Sequence, residues 1–195
     1  MHGLVLSAVQ VFTKDLYGPV RWARVMDRAG MGEREFEPMF FYSKAVGHRV
    51  LEELSVELNM PLDDILEDIG TYLVSRPNME PVRRLLRFGG VTFDDFLHSL
   101  DDLPGRAKLA VPDLLLPEIR LREHSVQRFS LTCRGDFPGF GHVLVGILRT
   151  MADDYGALAL VNHGGSGAGT EIVSIELLEP RFAQGRDFQL RAMVP

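Results

Sequence analysis

A single cysteine, Cys133, is all the thiol chemistry this 195-residue chain possesses. That excludes an internal disulfide and a cysteine-rich zinc site, and it fits a reducing compartment. The six histidines, at 2, 48, 98, 124, 142 and 163, include no His-Glu-x-x-His pair, so the ligand spacing of a zinc hydrolase is missing. Clustered positive charge is missing too. With a net charge of -6 and scattered basic residues, no electrostatic footprint for nucleic acid or an anionic membrane exists. Residues 1–12 lack a basic stretch, and Gln10 and Lys14 interrupt the apolar run. Neither a signal peptide nor a spanning helix is therefore expected, and the predicted location is cytoplasmic.

What is present is the composition of an ordinary globular chain, 46% hydrophobic and 25% charged, enough to bury one good core. Val5, Ala8, Val9, Phe12 and Leu16 repeat at helical spacing and predict a first helix with those residues inward. A second helix is predicted over about 19–29. A third follows a Ser43 cap and carries Val50, Leu51, Leu54 and Leu58 on one stripe. Pro61 opens a fourth with Leu62, Ile65, Leu66, Ile69 and Leu73, in which Gly70 is a candidate bend. After a short helix near 80–88, Thr92 with Asp95 reads as a capping box for a helix bearing Phe93, Phe96, Leu97 and Leu100. Pro104-Gly105 is expected to end that helix near Leu103.

Beyond residue 110 the period changes. Ile119 and Leu121 alternate with charged residues, and Phe129, Leu131 and Cys133 alternate with Arg128, Ser130, Thr132 and Arg134, the pattern of a hairpin. A long helix over about 139–154 separates it from two further strands, near 157–162 and 170–178, joined by a glycine-rich loop. Residues 188–194 offer one more strand. Helices followed by strand, strand, helix, strand, strand indicate an α+β fold with helices over an antiparallel sheet.

Chemistry-bearing residues have plain structural explanations. The glycines at 164–169 lie between strands, whereas a phosphate cradle needs a helix N-terminus. Cys133 and Arg134 are neighbours on a strand and point to opposite faces, so the thiol reads as a small core residue. His98 flanks a buried stripe as a helix-surface histidine, and the paired aspartates fit helix starts and polar faces. With no nucleophile beside a base, no metal set and no cofactor fingerprint, an enzyme is not expected.

Several strings together resemble the heme-nitric oxide/oxygen-binding (H-NOX) domain family over nearly the whole chain. They are Met1-x-Gly3, Leu16-Tyr17-Gly18, Leu66-Glu67-Asp68-Ile69-Gly70-x-Tyr72-Leu73-Val74 and Phe96-Leu97-x-x-Leu100-Asp101. Arg106, Pro112-Asp113-Leu114, Pro138-Gly139-Phe140 and Gly146-Ile147-Leu148 follow in order. The resemblance implies a single domain over 1–195, with a distal helical lobe over about 1–60 and a proximal helix-and-sheet lobe over 61–195. The implied sheet has about four antiparallel strands with one long helix. It also implies a sensor of nitric oxide or oxygen, with heme as cofactor and a histidine kinase, cyclase or other signalling protein as partner. Nucleic acid and membrane are not implied partners.

Two motifs of that family are absent. The Leu-His-x-Arg-Val string that supplies the iron ligand reads Leu103-Pro104-Gly105-Arg106-Ala107, with proline at the ligand position. The Tyr-x-Ser-x-Arg motif, which holds the heme propionates, falls on Cys133, Gly135 and Phe137. His98 and His142 remain as substitute ligands, both poorly placed. Val5, Val9, Gly70 and Pro112 border the family's pocket. The expected function is an H-NOX-like sensory or regulatory domain with altered or no heme binding, taking an unknown small apolar ligand or none. The alternative is a heme-independent protein-interaction module with a filled pocket.

Overall fold

A computed structural model describes residues 1–32, 35–167 and 169–179. Helices α1 (Gly3–Tyr17), α2 (Pro19–Arg28), α3 (Lys44–Leu58) and α4 (Leu62–Ser75) come first, followed by α5 (Glu80–Arg87), α6 (Phe93–His98) and α7 (Leu103–Ala110). A hairpin, β1 (Glu118–Ser125) and β2 (Arg128–Arg134), leads into α8 (Phe140–Tyr155), and β3 (Leu158–Gly167) and β4 (Thr170–Glu179) complete the sheet. The strands lie in the order β1-β2-β4-β3, and every adjacent pair is antiparallel. Predicted residues 188–194 lie outside the described residues.

Local chemistry explains the element ends. Ser43 accepts from the Val46 N–H and caps α3, whose other end closes on Asn59 at φ 53°, a left-handed position that asparagine tolerates. Thr92 and Asp95 form the expected capping box, and the hydrogen bonds it receives hold the Asp95 carboxyl below its usual range. The stripes of α3, α4 and α6 are buried as predicted, apart from half-buried Leu62 and Leu73. Helix α1 is rotated from its expected face: Leu6, Gln10 and Thr13 are buried, Val5 and Ala8 only half-buried, and Leu16 exposed. Gln10 turns inward because its carbonyl accepts the Phe36 N–H at 3.1 Å, and Thr13 because its hydroxyl donates to Val9 O.

Gly70 does not break α4, which runs to Ser75. Its missing side chain serves packing: a Cβ there would strike the Val143 carbonyl of α8, and a Cβ on Gly146 would strike the Glu67 carbonyl of α4. The two helices therefore cross backbone to backbone. Helix α8 in turn covers the inner face of the sheet, where Ile119, Leu131, Cys133, Val161, Val173 and Ile175 are buried.

Two expected boundaries are corrected. The helix through Phe93 ends at His98, a 3-10 turn spans Ser99–Asp102, and α7 begins at Leu103 with Pro104 in its first turn. Proline starts a helix there instead of ending one, because first-turn N–H groups have no intrahelical acceptor. The glycine-rich segment is likewise strand, since Gly165, Ser166 and Gly167 pair with Ile172, Glu171 and Thr170. The register shifts between His163 and Gly165, the irregularity that a glycine inside a strand permits.

Candidate functional site

At the position the resemblance assigns to the iron ligand, Pro104 is half-buried on the first turn of α7 and presents a ring with no donor atom. Two residues on, Arg106 folds back over the break between helices. It donates to Leu85 O at 3.0 Å, to Ser99 O at 2.9 Å and to the Ser99 hydroxyl at 3.2 Å. One guanidinium thus satisfies carbonyls left open at the end of α5 and in the 3-10 turn. Partial burial pulls its pKa below the ordinary arginine value. His98 is no substitute for a ligand at 104: it is exposed, lies 3.9 Å from Asp94 on its own helix and sets its ring edge against Phe129.

The three positions of the propionate motif are equally without suitable donors. Cys133 is buried, and desolvation with the nearby Glu171 charge pushes its thiol up to about 12. Gly135 has no side chain, and a Cβ there would crowd Pro117 at 2.9 Å. Phe137 packs its ring at a right angle to Phe140, with centroids 6.2 Å apart. Apolar, absent or neutral side chains cannot hold a pair of carboxylates.

What occupies this neighbourhood is a polar network that sequence reasoning missed. Glu171, the Cα partner of Cys133 in the ladder, accepts the Gly139 N–H at 2.8 Å and the Gly141 N–H at 2.9 Å. It also accepts from His163 Nε2 at 3.1 Å. The His163 Nδ1 accepts the Gly165 N–H at 3.3 Å, which leaves the ring proton on Nε2, where Glu171 takes it. The His163 ring stacks on His142, with centroids 3.9 Å apart and planes 16° from parallel. His142 in turn faces α4, with Nδ1 at 3.3 Å from Glu67 and Nε2 at 3.6 Å from Asp63. Glu67 is also bound by Arg149 at 2.6 Å, and that guanidinium donates to Val161 O as well.

The cluster therefore links α4, α8, β3 and β4, and it engages both nitrogens of each imidazole. Parallel stacked rings direct their lone pairs side by side, so the two histidines do not converge on one metal ion. His142, expected as a substitute iron ligand, is committed to α4 carboxylates and covered on one ring face by His163. A signal for this network was present in the sequence: Glu171 shares the inward parity of Val173, Ile175 and Leu177 on β4, and a charge on a buried stripe needs partners.

Of the expected pocket-lining residues, Val9 is buried, Val5 half-buried and Gly70 buried in the crossing with α8. Pro112 is exposed in the turn after α7. A cleft of about 170 Å³ lies elsewhere, between Leu16 on α1 and Asp68, Thr71, Tyr72, Ser75 and Arg76 along α4 and its end. It is smaller than the pockets of roughly 300–1,000 Å³ that enclose drug-sized ligands. Burial and the charges of Asp64 and Glu67 raise the pKa of the Asp68 carboxyl in its wall.

The residues at the positions that the resemblance assigns to heme thus offer it no iron ligand and no cation, while the fold around them is shared with known proteins. The family model described as Haem-NO-binding matches residues 2–163. Soluble guanylate cyclase gcy-31 of Caenorhabditis elegans is 25% identical over 154 residues, 79% of this chain and 22% of that protein. Soluble guanylate cyclase 89Db of Drosophila melanogaster is 20% identical over 163 residues, 84% of this chain and 24% of that protein. The chain therefore spans about a quarter of the length of the curated relatives it matches. The Fe(II) unliganded H-NOX protein from K. algicida superposes with a TM-score of 0.78 at 15% identity, over 94% of this chain and 100% of that one.

Proposed function

The chain belongs to the Haem-NO-binding family, and we propose that within it this domain is a sensory or regulatory module that no longer holds heme in the family's way. A sensor domain of this family is not itself catalytic. The module acts on a signalling partner of the cyclase or histidine kinase kind, the first of which the guanylate cyclase relatives favour. Its own trigger is a different small apolar ligand, or none.

The observation that carries the reading is the joint replacement of both heme contacts. Pro104 stands at the ligand position, and Cys133, Gly135 and Phe137 stand at the propionate positions. Loss of one contact would leave the other to hold the group. Loss of both removes the iron bond and the charge-assisted hydrogen bonds together.

A second reading, a protein-interaction module with a filled pocket, is favoured by the continuity of the buried core. Leu97, Leu100 and Leu103 beside Pro104 belong to the same cluster as Leu6, Val9 and Phe12 of α1. Native mass spectrometry of the protein purified from heme-replete cells tests the main reading. The expected spectrum is the bare chain, with or without a smaller adduct. A stoichiometric heme adduct that survives gentle desolvation would overturn it.

A further inference from the structure

Helix α8 begins at Gly139, which has no side chain to cap it. The N–H groups of Gly139 and Gly141, at the positive end of this 16-residue helix, are nevertheless satisfied from another element. The Glu171 carboxylate reaches from β4, buried to 9% exposure, and takes one N–H on each oxygen together with the His163 Nε2–H. Three donors converge on one anion inside the protein, and such charge-assisted hydrogen bonds are stronger than neutral ones. Glu171 stands opposite Cys133 in the β2–β4 ladder, and Gly139 lies two residues past Phe137. The seat therefore adjoins the segment 133–137.

We infer that Glu171 is the chain's own substitute for a ligand carboxylate, and that it sets which ligands this domain refuses. A carboxylate-bearing ligand approaching the 133–137 segment meets an anion already seated there and finds the donors spent. Like charge at short range in a buried site opposes the second carboxylate. The side chains at Cys133, Gly135 and Phe137 supply no cation to offset it. Exclusion of a dicarboxylate such as heme is thus enforced by a residue present as well as by residues lost. The inference rests on the reading above only in taking the 133–137 segment as a former ligand contact.

Removing the side chain empties the seat, and a small free carboxylate then fits it. The full-length Glu171→Ala variant is melted in sodium chloride, formate and acetate at equal ionic strength. We expect it to melt at least about 4 °C below the wild type in chloride, since buried donors lose their acceptor. Formate and acetate restore most of that loss in a saturable manner, and they leave the wild type unchanged.

If the variant does not fold in chloride, recovery of its far-ultraviolet circular dichroism on adding formate counts as the same rescue. The Glu171→Gln variant, whose neutral amide fills the seat, should not respond to formate. Equal response of wild type and variant, response of the Gln variant, or no rescue of the Ala variant by either carboxylate would overturn the inference. A heme adduct on the wild type would overturn the proposed function and the exclusion together, whereas failed rescue without a heme adduct would overturn the inference alone, so the two failures are distinguishable.

Discussion

At the scale of single residues, the side chains at the positions that the resemblance assigns to heme supply none of the contacts it would need. Proline offers no lone pair, glycine no side chain and phenylalanine no donor. The one replacement that keeps a metal-binding atom, Cys133, is silenced by its surroundings. Its thiol lies on the inner face of the sheet with the Glu171 charge nearby, and its pKa rises from 9.0 to about 12. Because the folded thiol keeps its proton to higher pH than the unfolded one, folded stability declines as pH climbs from 9.0 toward about 12 and is unaffected below that range. Nucleophilic reaction needs the thiolate. Alkylation by iodoacetamide at pH 8.5 should therefore run on the order of 1000-fold slower in the folded protein than in guanidinium. Comparable rates in the two states, read by mass spectrometry, would show that the thiol is neither buried nor held protonated.

The elements carry the family's frame through contacts that need particular small residues. Gly70 and Gly146 let α4 and α8 touch backbone to backbone, and no rotamer can relieve a methyl group placed there. Gly146→Ala should cost about 2 kcal/mol, a loss of about 4–8 °C in melting temperature. A variant that melts with the wild type would mean the helices separate easily. Gly70 was legible in the sequence as an anomaly, but periodicity cannot tell a bend from a close crossing, because both leave one glycine inside a helical stripe. Pro104-Gly105 was misleading for a related reason: a proline marks a helix boundary without saying on which side the helix lies. The glycines of 164–167 looked like a loop by composition, yet the partner strand β4 supplies hydrogen bonds that outweigh the entropy glycine loses. Helix faces dominated by large aliphatic side chains, such as those of α3 and α4, were readable directly. On α1 the polar Gln10 and Thr13 decided the buried face by hydrogen bonds that no hydropathy pattern records.

For the whole molecule, the α+β order and the four-stranded sheet followed from the change of period near residue 110, and the family strings pointed to the fold that the sheet and helices have. Of the network of Glu171, His163, His142, Glu67 and Arg149 only the inward parity of Glu171 was legible, since its partners lie on other elements and meet it only where α8 docks between α4 and the sheet. That network fills with the chain's own charges the region beside the segment where the family motif would hold propionates. Domain and relatives thus share a scaffold, and the proposal is that they differ in what its centre can hold. An absorption titration of the purified chain with ferrous and ferric heme, with His98→Ala and His142→Ala variants alongside, tests this most directly. The account predicts no saturable Soret band with any of the three proteins. A one-to-one band in the wild type, lost in either variant, would contradict it and identify that histidine as a new iron ligand.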